Sequence, residues 1–305
     1  MPTVVSVLLR EQIKLLKPVI VNMSVEKMRS SHEKLGELGT RAMKNRVSFN
    51  DFEIGSVPAC LVKPNTDTVG RDAVVLYLHG GAYVAGNLKY ARRFSGTLAD
   101  ALDMDVLSIA YRLAPEHPYP AALEDALSAY NYLLSTGHAA EDITLVGESA
   151  GGGLLLALTL KLRDDGMPLP ARLVPISPWT DLTLSGESYV LNEKRDPTLE
   201  LEHLKLYVKM YAQGAEREPY ISPLMGSLTG LPPTLIFAGG DELLLDDARS
   251  LHKKLIHSGV ASRILIEEGM WHAYMLYPVP EAKRAMRTLV HFIKTGELEF
   301  KDNDE

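Results

Sequence analysis

From Ala73 onward the chain repeats one pattern, a short and densely apolar run followed by a longer segment with helical periodicity. The apolar runs are Ala73–His79, Met104–Tyr111, Ile143–Gly147, Leu173–Ser177, Thr234–Ala238 and Arg263–Ile266. Helical segments lie near Tyr90–Leu102, Ala121–Leu134, Ala150–Arg163, Leu244–His257 and Glu281–Ile293. Apolar runs too short for helices and lacking polar alternation suit strands covered on both faces. Parallel strands need crossovers, and helical crossovers pass right-handed, so the pattern predicts a doubly wound α/β sheet.

Upstream the period changes. Arg46–Glu53 and Val57–Lys63 flank Ile54-Gly55-Ser56 and read as an antiparallel hairpin, which brings the expected sheet to eight mainly parallel strands with helices on both faces. Residues 1–44 read as two helices, the first carrying Val5, Leu8, Leu9, Ile13 and Leu16 on one face and ending at Pro18. The stretch 181–222 is too long for a connection and reads as an insertion over one end of the sheet. Its helix carries Leu204, Tyr207, Val208 and Tyr211, with Asp196-Pro197 as cap and first position. The expected organisation is therefore an N-terminal helical segment, 1–44, and an α/β domain, 45–305, with Lys301–Glu305 as a frayed tail.

Lys and Arg number 32 against 39 Asp and Glu, a net charge of −7 with no basic block, which argues against nucleic acid as a partner. The lone Cys60 cannot form an internal disulfide and reads as a buried, inert thiol. Arg10, Glu11 and Lys14 interrupt any apolar run suited to a secretory signal, so the expected location is cytoplasmic. Residues 143–160 are weakly charged, but Gly147-Glu148-Ser149 and the glycines after it make them strand, sharp turn and helix rather than an integral membrane segment.

That turn carries chemistry. Gly147-Glu148-Ser149-Ala150-Gly151 fits G-x-S-x-G between a strand and a helix, where small residues permit close backbone approach and the serine hydroxyl sits at a helix N-terminus. A serine needs an imidazole base and a carboxylate to orient it. His272, in the loop after the last strand, is the base candidate; the other histidines fall in helices, at their ends or in other motifs. Asp241 follows the strand Thr234–Ala238 and is the carboxylate candidate, with Asp246 and Asp247 as runners-up on a helical first turn. His79-Gly80-Gly81 ends the first parallel strand, and the N–H groups of Gly80, Gly81 and Ala150 form a candidate oxyanion pocket. Candidate substrate-lining residues are Tyr83, Val5, Leu8, Leu9, Tyr207 and Tyr211.

His79-Gly80-Gly81, the segment from Tyr111-Arg112-Leu113-Ala114-Pro115-Glu116 to Ala122, Gly147–Gly152, Asp241 and His272 together resemble the hormone-sensitive-lipase branch of the α/β-hydrolase fold, over about residues 45 to 293. The resemblance implies an esterase with Ser149 as nucleophile, His272 as base, Asp241 as orienting acid and a cap built from the N-terminal helices and the insertion. It also suggests pairing of two chains at the last strand. Ala82, Glu148 and Glu242 depart from the pattern, where a third glycine, aspartate and a proline after the triad acid are frequent. His79, Arg112 and Glu116 read as scaffolding of the oxyanion loop. The expected function is a carboxylesterase acting on short- to medium-chain acyl esters through an acyl-enzyme, with no cofactor and no metal, since metal and phosphate motifs are missing. A non-catalytic small-molecule receptor, or a hydrolase of amides or thioesters, are the alternatives.

Overall fold

A computed structural model describes residues 2–21, 23–66 and 72–299, so the tail 301–305 lies outside the described residues. Two helices, α1 (Val4–Val21) and α2 (Val25–Met43), precede the hairpin β1 (Val47–Ile54) and β2 (Val57–Pro64). The alternating part follows as β3 (Val74–Leu78), α3 (Leu88–Leu102), β4 (Asp105–Ile109), α4 (Ala121–Ser135), β5 (Ile143–Glu148), α5 (Ala150–Asp164) and β6 (Arg172–Ile176). After the insertion, which holds α6 (Ser188–Leu191) and α7 (Leu201–Ala212), come β7 (Thr234–Gly239), α8 (Leu245–His257), β8 (Ser262–Glu267) and α9 (Pro280–Thr295).

The sheet has eight strands in the order β1-β2-β4-β3-β5-β6-β7-β8. The pairs from β4 through β8 are parallel, whereas β2 runs antiparallel to both of its neighbours. Alternate strand residues face opposite sides, as a period of two requires. Val74, Leu76 and Leu78 join the core shared with α4, α5 and α8, while Val75 and Tyr77 join the core under α3 and α9. Ile13 of α1 belongs to the second core.

Two local expectations change. α1 continues through Pro18 to Val21 instead of ending there. Asp196 does not cap α7, which starts at Leu201 behind Glu200. Its carboxylate accepts the N–H groups of Thr198 at 2.8 Å and Leu243 at 3.0 Å, so it closes its own turn and ties the insertion to the end of β7. Cys60 is buried, and burial pushes its thiol up to about 12. Among the described residues no helix is long and apolar enough to cross a membrane.

Candidate active site

The parallel strands end along one rim, and the residues expected to carry chemistry follow β3, β5, β7 and β8 there. Ser149 lies between β5 and α5 with φ +56° and ψ −121°, a conformation costing about 1–3 kcal/mol for a residue with a side chain. Such strain persists only where its surroundings impose it. At Gly151 a Cβ would lie 2.0 Å from the Leu78 carbonyl oxygen, and at Gly147 one would lie 2.4 Å from the Gly151 carbonyl oxygen. The glycines of the motif thus answer to steric demand from β3 and from the turn itself.

The turn after β3 passes against Ser149, because a Cβ on Gly80 would meet the Ser149 Cβ at 3.1 Å. Here one expectation fails. The Gly80 N–H donates to Glu148 Oε1 at 2.6 Å, so it is already committed. Among the described residues the N–H groups of Gly81, Ala82 and Ala150 reach no protein acceptor. Ala82 is thus one of the uncommitted N–H groups of this turn, and its φ of +56° turns the backbone as a third glycine would. Complete burial pushes the Glu148 carboxyl up to about 7, against the pull of the Tyr77 hydroxyl and the Gly80 N–H. His79 stacks on Tyr111 at 4.2 Å, and burial lowers its imidazole to about 4, so the neutral ring donates Nδ1–H to the Gly80 carbonyl at 2.7 Å. Arg29 of α2 grips the same loop through the carbonyls of Val84 at 2.7 Å and Ala114 at 2.9 Å and pairs with Glu116. Arg112 bonds Asp125 at 3.0 Å.

The acid is where the structure departs furthest from the expected set. Asp241 does not face His272; it pairs with Arg10 and Arg195. Glu242 is fully buried and lies beside His272, with Oε2 3.6 Å from Nδ1. Burial pushes the Glu242 carboxyl above its usual range, and the facing imidazole pulls it back. The reason is backbone geometry. The Asp241 N–H donates to the Met270 carbonyl and the Gly240 N–H to that of Glu267, both at 2.9 Å, which lays the turn after β7 along the loop after β8 and points the next side chain inward. Gly239 permits this approach, since a Cβ there would sit 2.6 Å from the Met270 oxygen.

Ser177, absent from the expected set, joins both loops. Its hydroxyl donates to Glu242 Oε2 at 2.6 Å and accepts the Ala273 N–H at 3.0 Å. Only its place after β6, at the same rim, marks it in the sequence. Asp246 and Asp247 serve the insertion: Asp246 accepts the Ser188 N–H, and Asp247 accepts those of Thr180 and Asp181, each at 2.8 Å.

The lining residues divide. Tyr83 and Tyr211 are fully buried and stacked at 3.8 Å, which joins the oxyanion turn to α7. Tyr207 lies half-buried against Met28 of α2. Leu9 packs on the core under α3 and α9. Leu8 and Val5 are 62% and 52% exposed, so they line no enclosed pocket; α1 turns Ser6 and Ile13 inward instead. Among the described residues no three side chains form a metal-ligand cluster.

Comparison with known proteins gives the family. Residues 75–276 match the family described as alpha/beta hydrolase fold. The solved structure of an esterase from the bacterial hormone-sensitive lipase family has a TM-score of 0.87 and 34% identity, covering 93% of this chain and 97% of that one. The chain belongs to the hormone-sensitive-lipase branch of the α/β-hydrolase fold. This α/β-hydrolase is 42% identical over 229 residues to an acetyl-hydrolase of Streptomyces hygroscopicus, covering 73% of this chain and 75% of that protein. It is 36% identical over 230 residues to an esterase of Acinetobacter venetianus, covering 74% and 76%.

Proposed function

We propose that this hydrolase is a serine carboxylesterase in which Ser149 is the nucleophile, His272 the base and Glu242 the orienting acid. Family membership makes it a carboxylic ester hydrolase, and the buried pairing of His272 with Glu242 at 3.6 Å carries the assignment of roles. Nδ1 of the imidazole is turned to the carboxylate, which leaves Nε2 to take the serine proton. Ser149 Oγ then attacks the ester carbonyl carbon, and the N–H groups of Gly81, Ala82 and Ala150 receive the oxyanion. The bond to the alcohol oxygen breaks as His272 returns the proton to it. Water, deprotonated by the same imidazole, cleaves the acyl-enzyme.

Short- to medium-chain acyl esters fit best. Tyr83, Tyr211 and Trp179 fill the space beside the turn that carries Ser149: Gly153 faces the Trp179 carbonyl and the Tyr83 hydroxyl, and the relative from Streptomyces hygroscopicus is named an acetyl-hydrolase. On this reading α1, α2 and the 181–222 insertion form a cap on the catalytic domain. We keep the cytoplasm as its location, on the charges of Arg10, Glu11 and Lys14 in α1, and no nucleic-acid partner, on the net charge of −7. A pair of chains joined at the outer strand β8 is testable by light scattering.

A series of p-nitrophenyl esters from acetate upward tests chemistry and pocket depth together. Activity is expected to peak at short acyl chains, and Ser149→Ala is expected to lower turnover by about 10⁶. Labelling of Ser149 by a fluorophosphonate separates the enzyme from a non-catalytic receptor, and amide and thioester substrates settle the leaving group. Parental turnover in Ser149→Ala would overturn the proposal.

A further inference from the structure

We infer that Arg10, on the N-terminal helix α1, is a positioning residue for the acid and base of this site, and that it acts by neutralising Asp241 with the help of Arg195. The inference rests on the reading of His272 and Glu242 given above. Arg10 touches three elements at once. Its Nη1 donates to Asp241 Oδ2 at 2.5 Å and to the Gly269 carbonyl at 3.0 Å, and its Nη2 donates to the Arg195 carbonyl at 2.6 Å. These are the acid turn, the base loop and the insertion. Arg195 completes the cluster from the insertion side by pairing with the other carboxylate oxygen. The guanidinium of Arg10 is well shielded, at 16% exposure, and the Asp241 side chain is 5% exposed.

A strut alone would not require a carboxylate next to Glu242. An unpaired charge on Asp241, one residue from the acid and hydrogen-bonded through its N–H to the base loop, would draw a proton onto His272 and withdraw the base at neutral pH. Other ionisable groups that face the pair are Glu148 at the end of β5, Asp196 of the insertion, Glu268 beside Gly240, and Tyr274. All of these are acids or neutral; the cations on this side are Arg10 and Arg195 on the Asp241 carboxylate, Lys17 of α1 on the Asp196 carbonyl and Arg284 near Tyr274. The N-terminal helix thereby holds the charge of the turn that carries Glu242.

The test is the pH dependence of kcat/KM with p-nitrophenyl acetate, together with melting temperatures. In Arg10→Gln the acidic limb is expected to move up by about 0.5–1 pH unit. Arg10→Lys is expected to keep the limb near its parental place. Arg195→Gln, at a side chain 56% exposed and so better tolerated by the fold, is expected to move it in the same direction by less. Adding Asp241→Asn to Arg10→Gln is expected to return the limb while the lost melting temperature stays lost, because the charge is gone but the strut is not restored. An intact parental limb that stays in place in both arginine variants, or a shift that Asp241→Asn does not reverse, overturns the inference alone. A parental profile flat down to pH 4 overturns the histidine base and the inference with it.

Discussion

His272 faces Glu242 and not Asp241, with Nδ1 3.6 Å from the Glu242 carboxylate. Two adjacent acids in one turn thus have separate tasks. One is buried against His272, and the other pairs with Arg10 of α1 and Arg195 of the insertion.

Glu242→Gln keeps the size of the side chain but removes its charge, which leaves an imidazolium without its counterion in the transition state. Turnover of a p-nitrophenyl ester is expected to fall by about 10³–10⁴ with the fold retained, as for triad acids elsewhere. Asp241→Asn is expected to cost far less. The reverse ranking would return the acid role to Asp241.

Ser177→Ala deletes the hydroxyl that joins the acid to the backbone of Ala273, leaving a buried carboxylate oxygen and an N–H each short of a partner. The expected cost is about 1–3 kcal/mol in denaturant unfolding, with a fall in kcat larger than any change in KM. Unchanged stability and kcat would mean that the bridge is idle.

Arg29→Ala removes charge-assisted bonds to the carbonyls of Val84 and Ala114 and the pairing with Glu116. The oxyanion turn is then held from α2 by packing alone, so kcat is expected to drop about tenfold or more, in line with a loosened oxyanion donor. Arg29→Lys is expected to recover part of it. Hydrogen exchange across 81–86 provides an independent measure.

Burial against the Tyr90 ring, stacked at 4.5 Å, lowers the imidazole of His32 to about 4. The folded state therefore resists a proton that the unfolded chain accepts near 6.5. The resulting stability is present above that value and is lost as pH falls from 6.5 towards 4, by about 3 kcal/mol. His32→Phe keeps the stack and removes the titration, so its melting temperature is expected to fall less than the parental one between pH 7.5 and 4.5. Parallel curves would contradict this.

Strand and helix placement was legible in the chain because burial on both sheet faces requires runs such as Val74–Leu78 and Ile143–Gly147, and a serine between glycines at a strand end fits few backbones. Ser149 and His272 stand at strand ends on one rim for that reason. The choice between Asp241 and Glu242 was beyond reach, since neighbouring residues in a turn differ in direction, and direction was set by the bonds from Gly240 to Glu267 and from Asp241 to Met270. The choice between Gly80 and Ala82 was likewise decided by Glu148 reaching across from β5. Sequence by itself determined the layers and the rim on which chemistry sits, because hydrophobic periodicity is local. Only the tertiary structure decided which carboxylate faces the base and which N–H groups stay free, because those depend on partners far along the chain, such as Arg10 and Arg195 for Asp241.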